Sequence, residues 1–589
     1  MKSPRTLGLL AFAIAIPLLA MLPLPDFWFT QLNTIALYSL TGLGLVLLTG
    51  VGGLTSFGQA AFVGIGAYTT AVLTVQMGAS PWLTLPIGLA LTAACALLLA
   101  LITLRMSGHY LPLATIAWGL SLYYLMGNLE ALGKYDGITG IKTLSLGGID
   151  FGEGRGLFVL TWAILLLAAV AVLNLLDSRA GRAIRALKNG AQMAEAMGVN
   201  TFRYKVTIFV LAALLAALSG WLFAHFQRSV SPAAFGLKMG IEYLFMAVVG
   251  GVGHVWGALV GAGLIKLLDD QLQVLLPRLI GTSGSYEIIV FGIALVLVLK
   301  YLPDGLWSLV EKKLPRRQRV NDWSDAAPLP ERAKPAAGEL LLDAQAIRKE
   351  FGGLVAVNDI SFQIRASQIV GLIGPNGAGK STTFNLITGV LDMTRGHVVF
   401  AGEKLDGLPS REIARRGMAR TFQHVKMIPD MTVLENVALG AHLRGHKDVA
   451  TAMTRLNRDE ERRLLREAQR QLARIGMGAY LHEQAGNLAM GQQRLMEIAR
   501  ALCSDPTLLL LDEPAAGLRH KEKQDLIAVL RQLQREGMSI LLVEHDMDLV
   551  MDVCDHLVVM EFGTLLTQGT PAQIQQDPKV RAAYLGTEH

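Results

Sequence analysis

A glycine-rich loop lies between a short apolar run and a predicted helix. The run IVGLI (369–373) has the composition of a buried strand, and GPNGAGKST follows it directly. Glycines let the backbone N–H groups of such a loop wrap phosphate oxygens, and the helix that follows adds its positive dipole end. The sequence therefore predicts a phosphate-binding loop. Its residues are Gly374, Pro375, Asn376, Gly377, Ala378, Gly379, Lys380, Ser381 and Thr382.

Four polar side chains have the types that phosphoryl chemistry needs. Lys380 is placed to reach the β and γ phosphates, and the Ser381 hydroxyl is a predicted Mg²⁺ ligand. Further along, the apolar run LLLL ends in Asp512 and Glu513. A carboxylate beside a phosphate-bound metal suits Asp512, and Glu513 is predicted to polarise the attacking water.

A second apolar run, SILLV (539–543), ends in Glu544 and His545. A single histidine is usually structural or solvated, so His545 is a candidate only because of the motifs around it. Over about residues 340–589, the chain resembles the ABC ATPases. Five motifs carry the resemblance, in the order typical of the family: GPNGAGKST, the Gln423 of RTFQ, LAMGQQR (488–494), LLLLDEPAAGL and VEHD.

This resemblance implies that ATP and Mg²⁺ are cofactors and that ATP hydrolysis is coupled to transport. It implies that Phe351 stacks on adenine and that Glu513, Gln423 and His545 are catalytic. Mg²⁺ would be held by Ser381, Gln423 and Asp512. The implied signature, which caps ATP bound to the opposite subunit, consists of Leu488, Ala489, Met490, Gly491 and Gln492. Many ABC signatures have Ser-Gly where this chain has Ala-Met, so one hydroxyl contact to the γ-phosphate is lost.

The residues before 313 differ in composition from those that follow. Only 31 of the 100 charged side chains lie in residues 1–312, and none lies between Phe27 and Leu104. Lipid requires such a run, whereas an aqueous surface cannot be built from it, so this half is predicted to be a membrane domain. The net charge of +6 does not indicate nucleic-acid binding, because +5 of it lies in this half.

Nine apolar segments have about the length of a membrane span, ~20 residues. They are 7–24, 33–52, 59–77, 82–104, 109–127, 157–176, 206–226, 241–268 and 286–302. The basic loop 177–205 and the basic segment after 302 are predicted to be cytoplasmic. Nine full crossings would contradict that orientation. The glycine-rich segment 241–268 is therefore predicted to re-enter as two half-helices, which leaves about eight spans; a single packed helix is the alternative.

Three isolated polar side chains lie within apolar segments of this half: Gln59, Glu242 and His254. They are candidates for lining a polar pathway through the membrane domain. For each of them alone, an interfacial or hydrogen-bonded position is the favoured explanation.

Both halves resemble one import family. GLGLVLLTGVGGLTSFGQAAFVGIGAYT, DGITGI and GRAIRALKNGAQMAEAMGVNTFRYK are similar to the permease subunit of bacterial branched-chain amino-acid importers. FGGLVAVNDISF, NLAMGQQRLMEIAR and AAYLG are similar to the ATP-binding subunit. The resemblance implies a fused half-unit of an importer in the bacterial inner membrane, with its ATPase in the cytoplasm. Its partners would be a periplasmic substrate-binding protein and a second permease and ATPase, or a second copy of itself.

The predicted architecture is therefore multi-domain. A polytopic α-helical membrane domain (1–312) precedes a proline-rich, charged tether (313–339) and an α/β P-loop ABC ATPase domain (340–589). In the cytoplasmic loop, apolar residues recur at helical spacing among arginines, which favours an amphipathic coupling helix over an ordinary basic loop. These apolar residues are Ile184, Leu187, Met193 and Met197.

Other functions remain open at this point. Importers of urea, short amides or aromatic acids on the same scaffold are the main alternative. An ABC exporter or lipid translocator would have long charged helical extensions, which residues 27–104 lack. A non-transport ATPase that regulates a membrane receptor is the third.

Overall fold

The structure, a computed structural model, describes residues 4–105, 110–146, 149–152, 154–280, 287–302, 304–313 and 323–585. The chain divides into two compact units. The helical unit comprises Met1–Asp177 and Phe202–Arg317, and the α/β unit comprises Ser178–Thr201 and Gln318–His589. The loop predicted to be cytoplasmic thus groups with the α/β unit.

Helices dominate the residues up to 313. They are α1 (Pro4–Met21), α2 (Asp26–Leu45), α3 (Gln59–Ala71), α4 (Pro81–Thr103), α5 (Tyr110–Asn128), α6 (Gly154–Leu176), α7 (Arg179–Asn189), α8 (Ala191–Ala196), α9 (Thr201–Gln227), α10 (Leu237–Gly250), α11 (Val255–Ile280), α12 (Glu287–Tyr301) and α13 (Leu306–Lys313). Short strands pair as β1 (Ile138–Thr139) with β4 (Ser229–Val230) and β2 (Ser145–Leu146) with β3 (Ile149–Asp150).

Four helices of the described residues are long and apolar enough to cross a membrane. They are Asp26–Val51, where a π-helical turn extends α2, and Pro81–Thr103, Gly154–Leu176 and Thr201–Gln227. Each overlaps a segment predicted from the sequence to span. The total of about eight spans stays a prediction.

The glycine-rich segment 241–268 contains a break. Helices α10 and α11 meet at an angle of 118° across residues 251–254. A Cβ added to Gly261 would lie 1.9 Å from the Met246 carbonyl oxygen, so the two backbones pack closely only because glycine is present. The segment is therefore not one continuous helix, and α11 continues to Ile280, beyond the predicted end. Re-entry stays a prediction.

The α/β unit alternates strands and helices from Leu340 onwards. Its strands are β5 (Leu340–Phe351), β6 (Leu354–Arg365), β7 (Ile369–Ile373), β8 (Arg395–Phe400), β9 (Glu403–Lys404), β10 (Met418–Arg420), β11 (Leu508–Asp512), β12 (Ser539–Val543), β13 (His556–Glu561) and β14 (Thr564–Gly569). Its helices are α14 (Lys380–Ile387), α15 (Ser410–Arg415), α16 (Val433–Ala438), α17 (Val449–Met453), α18 (Arg458–Arg474), α19 (Met490–Leu502), α20 (His520–Arg535), α21 (Met547–Val553), α22 (Pro571–Gln576) and α23 (Pro578–Leu585).

The central sheet brings the predicted motifs together. Its strand order is β10-β11-β12-β7-β13-β14, with only β14 antiparallel. Strands β7, β11 and β12 are wholly buried, since their Ile, Leu and Val side chains enter hydrophobic clusters on both faces. The carboxyl ends of these parallel strands meet at one edge. A second, antiparallel sheet has the order β6-β5-β8-β9.

Residues 313–339 were predicted to be a tether, but most of the described residues in this range are packed. Residues 323–337, here called the strap, pack on the α/β unit, and Leu329 joins its hydrophobic core. Residues 314–322 lie outside the described residues. Prolines keep the strap extended, and its few apolar side chains reach the core without any periodic pattern. The sequence pattern therefore gave no sign of packing.

Asp505 anchors the strap. Its carboxylate accepts hydrogen bonds from the Arg332 backbone N–H and from the Lys334 ammonium (2.9 Å). The same ammonium donates to the Pro506 carbonyl oxygen (2.6 Å). Burial acts against the charged carboxylate, but these hydrogen bonds outweigh it and lower the pKa of Asp505. The ionised carboxylate therefore stabilises the packed strap.

Asp505→Asn should release the strap. A hydrogen bond to a charged group contributes about 1.5–3 kcal/mol, and asparagine tolerates the positive φ of 53° at this position. We expect trypsin to cleave after Arg332 about tenfold faster in the variant at pH 7. Because the folded-state pKa of Asp505 is lowered, the difference between the two proteins in the free energy of unfolding should shrink as the pH falls below about 4.

The matched control is Glu331→Gln. Glu331 pairs with Arg470 at 2.7 Å, but the Glu331 side chain is 63% exposed. Such exposed pairs contribute about 0–1 kcal/mol, so cleavage should stay close to that of wild type. Equal cleavage of wild type and Asp505→Asn would contradict the anchoring role.

Candidate nucleotide-binding site

The predicted phosphate-binding loop lines a cavity of about 510 Å³ at the carboxyl end of β7. This volume falls within the range of small-molecule sites. The lining residues are Leu354, Val355, Ala356, Asn376, Gly377, Ala378, Gly379, Lys380, Ser381, Thr382, Gln423, Glu513, Phe562 and Gly563. Two of the three predicted catalytic residues, Gln423 and Glu513, thus share the cavity with the loop.

The loop conformation depends on its glycines. Gly379 has a φ of +93°, and a Cβ there would lie 2.6 Å from the Ala356 carbonyl oxygen. The Lys380 ammonium donates to the carbonyl oxygens of Gly374 (2.8 Å) and Pro375 (3.0 Å). Burial lowers the pKa of Lys380, although the nearby Glu513 carboxylate opposes this effect. The loop therefore holds a cation directly beside the cavity.

Asp512 ends β11 as a buried carboxylate. Its backbone N–H donates to the Thr421 hydroxyl (3.1 Å), and its Oδ1 atom has no hydrogen-bond partner among the described residues. Burial raises the pKa of Asp512 to about 6; Arg420 acts against this and Glu513 adds to it. A buried carboxylate oxygen without a donor suits a hard cation. Asp512 therefore fits one ligand position of a Mg²⁺ site.

Glu513 is held in an uncommon backbone conformation. Its φ is +47°, and its N–H donates to the Val543 carbonyl oxygen (2.8 Å) at the end of β12. Its Oε1 accepts a hydrogen bond from Gln423 Nε2 (3.3 Å). Strained positions of this kind persist when the surrounding structure fixes them, and they concentrate at functional sites. The carboxylate thereby reaches the cavity.

The segment containing Gln423 is held by α19, a contact that sequence reasoning missed. The buried Arg494 donates to the carbonyl oxygens of Phe422 (2.8 Å) and Gln423. The buried Glu497 accepts the Lys426 N–H (2.9 Å). The only sequence signal was the set of polar residues at i, i+3 on the buried face of α19.

Glu544 also went unassigned in the sequence. It is fully buried, and its carboxylate accepts the N–H groups of Ala515 (2.7 Å) and His545 (3.0 Å). It therefore links the segment after Glu513 to the backbone of His545, a predicted catalytic residue. The His545 side chain itself is largely exposed and is not among the residues that line the cavity.

The predicted adenine platform lies at the end of β5. Phe351 is 46% exposed, with the Lys349 ammonium 5.1 Å from its ring centroid, and it is not among the lining residues. Phe562 does line the cavity and is 85% exposed. No motif in the sequence marked Phe562.

The predicted signature opens α19. The Ala489 N–H donates to Gln492 Oε1 (3.0 Å), and Gln493 Nε2 donates to the Leu488 carbonyl oxygen (2.8 Å). Met490 is exposed. None of residues 488–492, all of them described, lines the cavity of the phosphate-binding loop.

Comparisons with known proteins cover both units. Residues 27–299 match the family model for the branched-chain amino acid transport system, permease component. Residues 357–516 match the ABC transporter model, and residues 564–589 match that for the branched-chain amino acid ATP-binding cassette transporter. The high-affinity branched-chain amino acid transport ATP-binding protein BraF of Pseudomonas aeruginosa is 42% identical over 249 residues, which are 42% of this chain and 98% of BraF. LivG of Escherichia coli K12 is 43% identical with the same coverage.

The chain belongs to the branched-chain amino acid ABC transporter family. The expected family, the fold class and the coupling of ATP hydrolysis to transport are thereby confirmed. Among solved structures, a nucleotide-free ATP-binding cassette from an ABC transporter is 31% identical, with a TM-score of 0.38, over 42% of this chain and 99% of that one.

In this ABC transporter, residues 178–201 are part of the α/β unit. Arg182 is 3% exposed and forms an ion pair with Glu461 in the first turn of α18. The Arg179 backbone N–H donates to the Glu461 carboxylate (2.9 Å), and the Arg179 guanidinium donates to the His442 carbonyl oxygen (2.9 Å). Burial, and then the charges of Arg179 and Arg182, lower the pKa of His442 well below its usual value. The imidazole therefore stays neutral beside two guanidinium groups.

The apolar side of this segment is buried as well. The predicted amphipathic helix is present as two helices, α7 and α8, joined at Gly190. A Cβ added to Gly198 would lie 2.2 Å from Leu443 Cγ, so the backbone passes directly against that side chain. The predicted apolar residues Ile184, Leu187, Met193 and Met197 are all buried.

Glu513→Gln should keep ATP binding and lose turnover. The substitution removes the base but leaves Asp512 and the loop unchanged, and general-base catalysis contributes about 10²–10⁴-fold. We expect the ATP hydrolysis rate of the transporter to fall by that factor, with nucleotide affinity retained. Lys380→Ala should instead weaken nucleotide binding, and the exposed control Asp525→Asn should change neither. Hydrolysis within a few-fold of wild type would reject Glu513 as the base.

Proposed function

We propose that the chain is a fused half-unit of an ATP-driven importer that carries branched-chain amino acids across the bacterial inner membrane, with the ATPase in the cytoplasm. The observation that carries this proposal is the pairing of two matches in one chain. The front half matches the permease component of a branched-chain amino acid system, and the rear half is similar to the ATP-binding component of such a system. A fusion of two subunits implies that they act together.

The residues of the cavity support the chemistry of the ATP site. Bound ATP with Mg²⁺ supplies the phosphoryl group that water attacks. Ser381 and Asp512 would hold the metal, with Gln423 as a further oxygen ligand, while Lys380 compensates phosphate charge. Glu513 would accept the proton of the attacking water. His545 would contact the γ-phosphate, with Glu544 holding its backbone.

The complete transporter needs a second ATPase. The signature residues 488–492 lie outside the lining of the chain's own cavity, so we assign them to ATP bound by another subunit. That subunit is either a second copy of this chain or a separate ATPase paired with a separate permease. A periplasmic substrate-binding protein would deliver the amino acid.

Residues 178–201 are the proposed coupling element. Their charged and apolar contacts with the α/β unit are buried, so a movement of that unit during ATP hydrolysis would be passed to this segment. The segment connects α6 directly to α9, two helices of membrane-spanning length. Binding and hydrolysis of ATP would then change the conformation of the membrane helices.

Uptake by vesicles that contain the assembled transporter tests the proposal. We expect ATP-dependent uptake of labelled isoleucine only when the cognate binding protein is supplied, because importers of this kind receive substrate from it. The Glu513→Gln transporter serves as the inactive control.

Other outcomes separate the alternatives. Uptake of urea, short amides or aromatic acids, but not of isoleucine, would show that the transporter is an importer with a different substrate. Export without a binding protein, or ATP hydrolysis without movement of any solute, would overturn import itself.

A further inference from the structure

The hairpin between β13 and β14 has an aromatic residue at its tip. Glu561 pairs with Thr564, so Phe562 and Gly563 form a two-residue turn. Their φ angles are +45° and +77°. Positive φ at both central positions is characteristic of a type I′ turn, which favours asparagine, aspartate or glycine at the first of them. Phe562 is therefore held in a conformation that bulky side chains rarely adopt.

Packing within the folded chain does not explain this choice of residue. Phe562 is 85% exposed, so burial of its ring does not offset the unfavourable backbone conformation. A single exposed apolar side chain is ordinary on a protein surface. One that also strains its backbone is uncommon, and such positions concentrate where ligands bind. The tip of the hairpin is therefore a candidate for contact with a bound molecule.

The backbone of the tip is fixed against the phosphate-binding loop. The Gly563 N–H donates to the Ala378 carbonyl oxygen (3.2 Å), and the Gly563 carbonyl oxygen accepts the Asn358 N–H (2.7 Å). A Cβ added to Gly563 would lie 2.9 Å from the Ala356 carbonyl oxygen, so the turn approaches β6 closely. The backbone that carries the Phe562 ring is thus hydrogen-bonded to the loop itself.

The cavity beside this loop has an apolar part. Phe562, Leu354 and Val355 are among the residues that line it, and Leu354 is 67% exposed. A nucleotide combines charged phosphates with a flat base that has apolar faces. Since the glycine-rich loop suits the phosphates, the exposed apolar side chains at the same cavity suit the base.

Phe351, the aromatic residue that the family resemblance assigns to adenine, lies elsewhere. It is not among the residues that line the cavity, and the Lys349 ammonium lies over its ring, 5.1 Å from the centroid. One face of the Phe351 ring is therefore already in contact with a cation from its own strand. Phe562 differs because it lines the cavity and is the more exposed of the two rings.

We propose that the Phe562 ring stacks on the base of the nucleotide and is the principal aromatic contact of the ATP site. An aromatic ring stacks on any base, so this contact would add affinity without selecting adenine. The strained turn would be retained because it places the ring at the site. This inference rests on the proposed function, since it assigns the base contact of the ATP site described there.

The test compares the binding of ADP and of inorganic pyrophosphate, each with Mg²⁺, to the purified full-length chain. The two ligands share a diphosphate, but only ADP has a base. We expect Phe562→Asn to raise the dissociation constant of ADP about tenfold, the loss of one base–aromatic stack, and to leave that of pyrophosphate within about twofold. Asparagine suits the turn, so the variant should melt no lower than wild type. Phe562→Tyr keeps the ring and should bind ADP as wild type does.

Phe351→Asn is the matched control. It makes the same change at an exposed ring outside the cavity lining. We expect it to raise the dissociation constant of ADP less than Phe562→Asn does. A larger effect of Phe351→Asn would overturn the proposal, because Phe351 would then be the principal aromatic contact.

The remaining outcomes separate this inference from the proposed function. A wild-type chain that binds neither ADP nor pyrophosphate would remove the ATP site and this inference with it. Binding of ADP by wild type and equally well by Phe562→Asn would overturn only the base contact, and lost ATP hydrolysis in that variant would then indicate a ring that contacts the second ATPase. Equal weakening of ADP and pyrophosphate would also overturn it, because it indicates a turn that only supports the phosphate-binding loop.

Discussion

A buried guanidinium group needs a carboxylate or several carbonyl oxygens to replace its lost hydration. Among the described residues, the carboxylate that pairs with the Arg182 guanidinium is that of Glu461, a residue far along the chain in α18. The neighbouring Arg179 reaches the His442 carbonyl oxygen in the same way. These contacts make the segment between α6 and α9 part of the α/β unit. The whole account of coupling depends on them, because a free loop would not follow the state of the nucleotide site.

In the nucleotide site too, buried polar groups hold together segments that are distant in the sequence. Its predicted catalytic residues follow the ends of parallel strands, but buried polar partners hold the segments that contain them. Arg494 holds the Gln423 backbone, and Glu544 connects the segment after Glu513 to His545. Each partner is buried and would be costly to leave unpaired. The Oδ1 atom of Asp512 has no donor among the described residues, and a bound cation would explain this.

The sequence was sufficient to predict the parts of the molecule that are formed by contiguous residues. A strand, a glycine-rich loop and a helix are contiguous, so the loop and Glu513 could be placed together at one edge of the sheet. Glu544 was missed because its acceptor role depends on Ala515, 29 residues away. The strap was missed because isolated apolar residues such as Leu329 have no periodicity to reveal burial. Gln59 was noticed, but only the packing of α3 shows that its side chain is fully buried.

The most direct test of the account is the number of amino acids taken up per ATP hydrolysed by Arg182→Met. The variant removes the ion-pair partner of Glu461, whose side chain is 13% exposed and keeps the hydrogen bond from the Arg179 backbone N–H. Losing one hydrogen bond to a charged group costs about 1.5–3 kcal/mol. The account predicts that uptake per ATP falls about tenfold or more while ATP hydrolysis continues. Arg185→Met is the control, because its 3.6 Å pair with Glu435 is partly exposed and should matter little. Uptake per ATP equal to wild type in Arg182→Met would contradict coupling through residues 178–201.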